Sequence, residues 1–243
     1  MSNLKKNRFR LVMLICEILL ILIVLNAGSY FGTTTYSKSI FIVGIILTGF
    51  LLSWIWVNSK IYGFKRVDLG LCFRFVSQKQ WKAILSFVLV FYPLIFAIET
   101  LFPSEIKGDV TVIRLFINAF FTLTFGPIFE ELLFRGYLFT RSQDVFQKKS
   151  SGFSTLKISY ASIFSGIAWG VWHLPTPIIL LYFDDPIIKI YQSLFGFVLL
   201  ASIVGICLGE IRRKTKSLLP GMILHLVGNS TYVIEVAMKM LFS

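Results

Sequence analysis

The stretch Gly126-Pro-Ile-Phe-Glu130-Glu131-Leu-Leu-Phe-Arg135-Gly136 sets three formal charges inside a run that is otherwise uncharged from Leu115 to Phe139. A charge at bilayer depth costs at least about 2.5 to 3.5 kcal/mol on insertion scales, so ionisable residues in such a run are functional candidates by default. On a helix, Glu131 and Arg135 stand at i and i+4 with the acid N-terminal, the favoured orientation for an ion pair. Glu130 is turned by about 100° from Glu131, and its lone pairs are expected to be uncommitted. One acid therefore reads as structural and its neighbour as available.

Working outward, the chain holds only two histidines, His173 and His225, and both lie in other apolar segments. His225 is followed by Asn229 at i+4, which puts the imidazole and the amide on one helix face. His173 closes Trp169-Gly-Val-Trp-His173-Leu-Pro175, just ahead of a proline that interrupts any helix. An acid, two imidazoles and an amide spread over three apolar segments point to one buried polar site.

These blocks carry a family resemblance. Glu130-Glu131-Leu-Leu-Phe-Arg135 resembles the EExxxR motif of the CPBP family, the CAAX-protease and bacteriocin-processing intramembrane peptidases also called Abi proteins. Trp169 to His173 is similar to its FxxxH motif, with Trp in place of the usual Phe, a position expected to be aromatic packing in either case. His225 to Asn229 is similar to its HxxxN/D motif. The three stand in the family's order, and the resemblance covers roughly residues 111 to the C-terminus.

Composition places the chain in a membrane. It is 56% hydrophobic and 15% charged over 243 residues, with a mean hydropathy of +0.79, whereas a soluble domain is nearer one quarter charged. The formal charge of +12 does not imply a nucleic-acid partner, because the basic residues lie between the apolar runs. Three scattered cysteines, Cys16, Cys72 and Cys207, form neither a disulfide framework nor a thiolate metal site. No linker or internal repeat divides the chain. The expectation is a single integral-membrane peptidase domain over 1–243, with a motif-bearing core over about 111–241.

The expected fold is all-α, a polytopic transmembrane helix bundle of about seven crossings with one crossing broken by prolines. The spans expected are Leu11 to Ala27, Ser39 to Val57, Trp81 to Leu101, about Val110 to Thr140, Ile158 to Phe183 broken at Pro175 and Pro177, Ile188 to Leu208, and a helix opening at Pro220 and running to about Leu241. Glu17 in the first is expected to snorkel or pair. Residues 58–82, 141–157 and Glu210 to Lys216 read as basic loops, and the interleaved Leu69, Leu71, Phe73 and Phe75 read as an interfacial or short strand-like segment. The fifth segment is rich in small residues, Ala161, Ser162, Ser165, Gly166, Ala168 and Gly170, which permit close helix packing and predict a central position. With a cytoplasmic N-terminus, the four inner segments hold 4, 6, 4 and 4 Lys and Arg, against one in each of three outer loops, as the positive-inside rule requires. Asp184-Asp185-Pro186 reads as a solvated outer turn, and Glu235 with Lys239 as an i,i+4 pair.

Peptide hydrolysis needs a base to activate water, donors for an oxyanion and a proton for the leaving amine. Glu130 can be the base, His173 can orient the water or relay its proton, and His225 with Asn229 can donate to an oxyanion. The resemblance implies the same division: Glu130, His173, His225 and Asn229 in the catalytic part, Glu131 and Arg135 in support. No metal or other cofactor is favoured. The alternative is zinc held by Glu130, His173 and His225, the kind of set behind the family's metalloprotease label; no HExxH on one helix supports it.

The resulting expectation is an endopeptidase of the bacterial cytoplasmic membrane that cuts a membrane-associated peptide or protein, in CAAX-type, bacteriocin or pheromone processing or in self-immunity. Two other functions fit the same residues, a non-catalytic immunity or scaffold protein and a proton-coupled transporter. Membrane lipid is an expected partner, while the oligomeric state is not legible, since lipid-facing and partner-facing surfaces look alike.

Overall fold

The computed structural model describes residues 10–20, 38–71, 77–78, single positions between 81 and 89, 123–124, 126–146, 158–174 and 198–242. Residues 10–20 are helical. The helices that follow are α1 (Lys38–Ile61), α2 (Gly126–Glu130), a π-helical segment (Glu131–Leu138), α3 (Phe139–Phe146), α4 (Tyr160–Trp172), α5 (Ala201–Thr215) and α6 (Leu219–Phe242). Among the described residues there is no strand, so the all-α expectation holds there. Among the same residues no helix is long and apolar enough to cross a membrane. Most of the third span, the first half of the fourth, the Pro175–Pro177 break, the Asp184-Asp185-Pro186 turn and the start of the sixth span lie outside the described residues, as do the side chains of Glu235 and Lys239.

Helix α4 is central, and the reason is its small residues. Glycines and serines let it meet α5 backbone to backbone in an antiparallel seam: Ser162 against Gly209, Gly166 against Gly205, and Gly170 against Ser202. A Cβ added at Gly205 would lie 2.8 Å from the Gly166 Cα and 3.0 Å from the Trp169 ring. Dispersion at such short range, rather than apolar transfer, is what holds helices together where the surroundings are as apolar as the side chains.

The lower end of the seam is fastened by polar contacts. Ser159 caps α4, its Oγ accepting the Ser162 N–H at 3.0 Å. Glu210 Oε1 accepts the Ser159 N–H at 2.8 Å and the Ser162 hydroxyl at 2.8 Å, while Oε2 pairs with Arg213 at 2.7 Å. Burial pushes the Glu210 carboxyl up, but the Arg213, Ser159 and Ser162 hydrogen bonds outweigh it and hold the acid below its ordinary range.

The basic segments are less loop-like than their charge predicts. Residues 141–146, expected in a polar loop, continue the helix as α3, and α5 runs through Glu210 and the basic cluster to Thr215. In both cases a basic side chain is buried with a partner. Arg141, 3% exposed, pairs with Glu17 at 3.6 Å, stacks on the Tyr62 ring at 3.8 Å and meets Asp144 at 3.1 Å. Arg212 donates to the Asp68 carbonyl at 2.6 Å. Glu17 is thus a pairing residue rather than a snorkelling one, since it also accepts the hydroxyls of Tyr62 at 2.6 Å and Tyr137 at 3.1 Å. These bonds tie helix 10–20 to the π-helical segment.

Of the two readings of Leu69 to Phe75, the strand-like one is not met in the described part, because residues 66–70 form turns, while residues 72–75 lie outside the described residues. The turns end at Gly70, whose φ of 76° suits a residue without Cβ. The Gly70 carbonyl accepts the Leu218 N–H at 3.1 Å, one residue ahead of α6. Pro220 stands in the first turn of α6, as expected.

Candidate functional site

The site is built on the Glu-Glu pair. Residues 126–146 form one unbroken helical run whose centre is π-wound, and the Phe139 N–H closes it onto the Gly136 and Phe134 carbonyls. Leu133, Phe134, Tyr137 and Leu138 are all buried, and Leu132 is half-buried, so most of this segment is enclosed. π-Helical turns inside α-helices occur frequently at functional sites.

The predicted ion pair forms across this segment. Arg135 NH1 lies 3.2 Å from Glu131 Oε1, with the two side chains 0% and 1% exposed. Burying two charges is costly unless each answers the other, and here the ion contact carries the pair alone, since the buried oxygens of Glu131 and nitrogens of Arg135 make no hydrogen bond among the described residues. The first turn of α6 approaches with Gly221, where an added Cβ would stand 2.5 Å from Glu131 Oε2. Only a residue without a side chain leaves room for the carboxylate there. Arg135 stacks on the Trp169 ring at 4.3 Å, a cation–π contact in a dry setting.

Glu130 faces elsewhere, as the helix geometry predicts, and its side chain is 17% exposed. Its lone pairs are not all uncommitted, however. Oε2 accepts a hydrogen bond from the Trp169 indole N–H, and His225 Nε2 stands 3.8 Å from the same oxygen. The His225 Nδ1 lies 3.5 Å from Glu131 Oε1, so one imidazole addresses both acids from α6.

His173 ends α4, its N–H closing the last turn onto the Gly170 carbonyl. Its ring Nδ1 is 2.9 Å from the Trp169 carbonyl. A carbonyl can only accept, so Nδ1 carries the proton and Nε2 of the neutral ring is the acceptor. Trp169 packs against both histidines, its ring edge-to-face with His173 at 5.3 Å and with His225 at 5.2 Å.

Glu130, Arg135, His173 and His225 therefore gather about one indole, and Glu131 joins them through Arg135 and His225. Asn229 follows His225 by one turn on α6 and is half-buried. The residue that sequence reasoning missed is Trp169. Reading it as aromatic packing overlooked the one respect in which Trp differs from Phe, an N–H donor; its spacing four residues before His173 was the available signal.

The three residues of the zinc alternative, Glu130, His173 and His225, are engaged in different ways. The indole meets both imidazoles and takes one Glu130 oxygen, while His173 Nδ1 is turned to a carbonyl, which leaves its Nε2 open. Among the described residues no group of three or more His, Cys, Asp or Glu stands in a metal-holding arrangement.

Comparison with known proteins agrees with the motifs. A family model described as type II CAAX prenyl endopeptidase Rce1-like matches residues 112–231, about half of the chain and all three motif blocks. No curated protein and no solved structure matches. With the paired acids, both histidines and Asn229 inside the matched range, the chain belongs to the Rce1-like family of type II CAAX prenyl endopeptidases, which is the CPBP family.

Proposed function

We propose that this protein is an intramembrane endopeptidase in which Glu130 activates a water molecule against a peptide bond of a membrane-associated substrate. Family membership supports a CAAX-type protease with a membrane-associated protein substrate. The observation that carries the mechanism is the division of labour between adjacent acids. Glu131 is sealed at 1% exposure against Arg135, whereas Glu130 keeps 17% exposure beside His225 Nε2. A base must reach its water, and only the second acid can.

The remaining roles follow from hydrogen-bonding capacity. Nε2 of neutral His173 can take a proton and return it to the leaving amine. His225 and the Asn229 amide, stacked on one face of α6, supply donors to the oxyanion; one such donor is typically worth about 2.7 to 4 kcal/mol. Glu131 and Arg135 hold the frame. Membrane insertion, with the inner loops carrying the positive charge, rests on the apolar runs and the Lys and Arg distribution.

The test is purified protein in detergent or liposomes, incubated with prenylated CAAX peptides and with unprenylated bacteriocin-type or pheromone-type peptides. Wild type is expected to cut one class, and Glu130→Gln to slow cleavage by about 10²- to 10⁴-fold, the usual worth of a general base. Equal rates for the two proteins would remove Glu130 from the chemistry and favour a scaffold. Cleavage lost to a chelator and restored by zinc would replace the metal-free mechanism.

A further inference from the structure

The indole of Trp169 is the most connected group of the site. It is 6% exposed, meets Glu130, Arg135, His173 and His225, and lies against Gly205, where an added Cβ would stand 3.0 Å from the ring. Four of these contacts are made by its faces and edges, and a Phe ring would keep their character. The fifth is directional, the N–H aimed at Glu130 Oε2. An indole N–H can only donate. It therefore fixes which oxygen of the carboxylate is engaged and in what plane the group lies.

We propose that Trp169 is a positioning residue for Glu130: its indole N–H holds Oε2 so that proton abstraction from water falls to Oε1. The role rests on reading Glu130 as the base. The bond also makes α4 a direct partner of the acid. His173, four residues along and hydrogen-bonded to the Trp169 carbonyl, is then placed against Glu130 by the same residue. The site's acid and one of its imidazoles share a single mount, set by the seam with α5.

Two measurements test this. The first needs no substrate. In protein labelled with ¹⁵N at the indoles, five Trp side-chain signals are expected, with Trp169 assigned by its loss in Trp169→Phe. Glu130→Ala removes the acceptor, and the Trp169 signal should move upfield while the other four keep their positions, which also reports that the variant is folded. An unmoved Trp169 signal overturns the proposal.

The second measurement replaces Trp169 with benzothienylalanine, which has the same bicyclic shape and a sulfur in place of the N–H. The loss of one hydrogen bond to a charged group predicts a fall in kcat of about 10- to 100-fold, with KM within about twofold and an unchanged Tm, since the packing is kept. Full kcat in this variant, or a Tm that falls in step with kcat, overturns the proposal and makes Trp169 a packing residue. A wild type that cuts no peptide overturns the positioning role together with the peptidase reading. That outcome is told apart from failure of the inference alone, in which wild type cuts and the isosteric variant cuts as well.

Discussion

Replacing Glu131 with Gln tests whether this acid is a structural charge. The two side chains are nearly isosteric, so the space opposite Gly221 is respected and no cavity opens. What changes is the charge facing Arg135, which is 0% exposed and 3.2 Å away. Removing one partner of a buried pair costs about 3 to 5 kcal/mol, because the other charge is left uncompensated. The low-dielectric surroundings place this case in that class rather than among surface pairs, which are worth about 0 to 1 kcal/mol. Arg135 keeps its stack on Trp169 at 4.3 Å, a contact worth about 2 kcal/mol when desolvated, which argues for the lower half of the range. The expected loss is therefore about 3 kcal/mol, roughly a hundredfold in the folding equilibrium. The double variant Glu131→Gln with Arg135→Met should recover much of it, since replacing a whole buried pair by uncharged groups is often neutral. The assay is reversible unfolding in mixed micelles with a denaturing detergent, completing the double-mutant cycle with Arg135→Met alone. A Glu131→Gln protein within about 0.5 kcal/mol of wild type, or a double variant whose loss is the sum of the singles, would refute the reasoning.

Glycines at different places should respond with opposite signs. Gly205→Ala puts a methyl against the Gly166 backbone, which cannot yield, and should cost about 1 to 3 kcal/mol by overpacking; Gly49→Ala, in α1 with nothing within 4 Å of the new methyl, should stabilise by about 0.4 to 1 kcal/mol, both read as shifts in unfolding midpoint. Acid sensitivity should map to Glu210. Its folded value lies below its ordinary one, so the unfolded chain binds the extra proton, and the stabilisation is complete above the ordinary carboxylate range and lost as pH falls through the folded value. In Tm measured against pH, Glu210→Gln should lie below wild type near neutrality and converge with it in acid; a gap constant with pH would contradict this.

Much of the site was legible because its residues are misplaced by ordinary standards. A charge in an apolar run is conspicuous, and the i,i+4 spacing of Glu131 and Arg135 was enough to anticipate their contact. Gly166 and Gly170 likewise marked α4 as a central helix. What stayed hidden depends on partners far along the chain. Arg141 and Arg212 read as loop residues because a basic side chain is taken for a solvated one until its acceptor is known, and those acceptors, Glu17 and the Asp68 carbonyl, lie 124 and 144 residues away. The donor role of Trp169 was hidden for a similar reason. An indole reads as bulk until an acid is found opposite its nitrogen.

The glycine seam between α4 and α5 has a bearing on how this protein can vary. Gly205 lies against the Trp169 ring, so under the proposed positioning role the aim of the acid depends partly on a residue that has no side chain. Random mutagenesis scored on turnover should find Gly205 as sensitive as the titratable positions. Changes in substrate preference should then accumulate on surfaces remote from the seam, where a new side chain can be added without moving the indole.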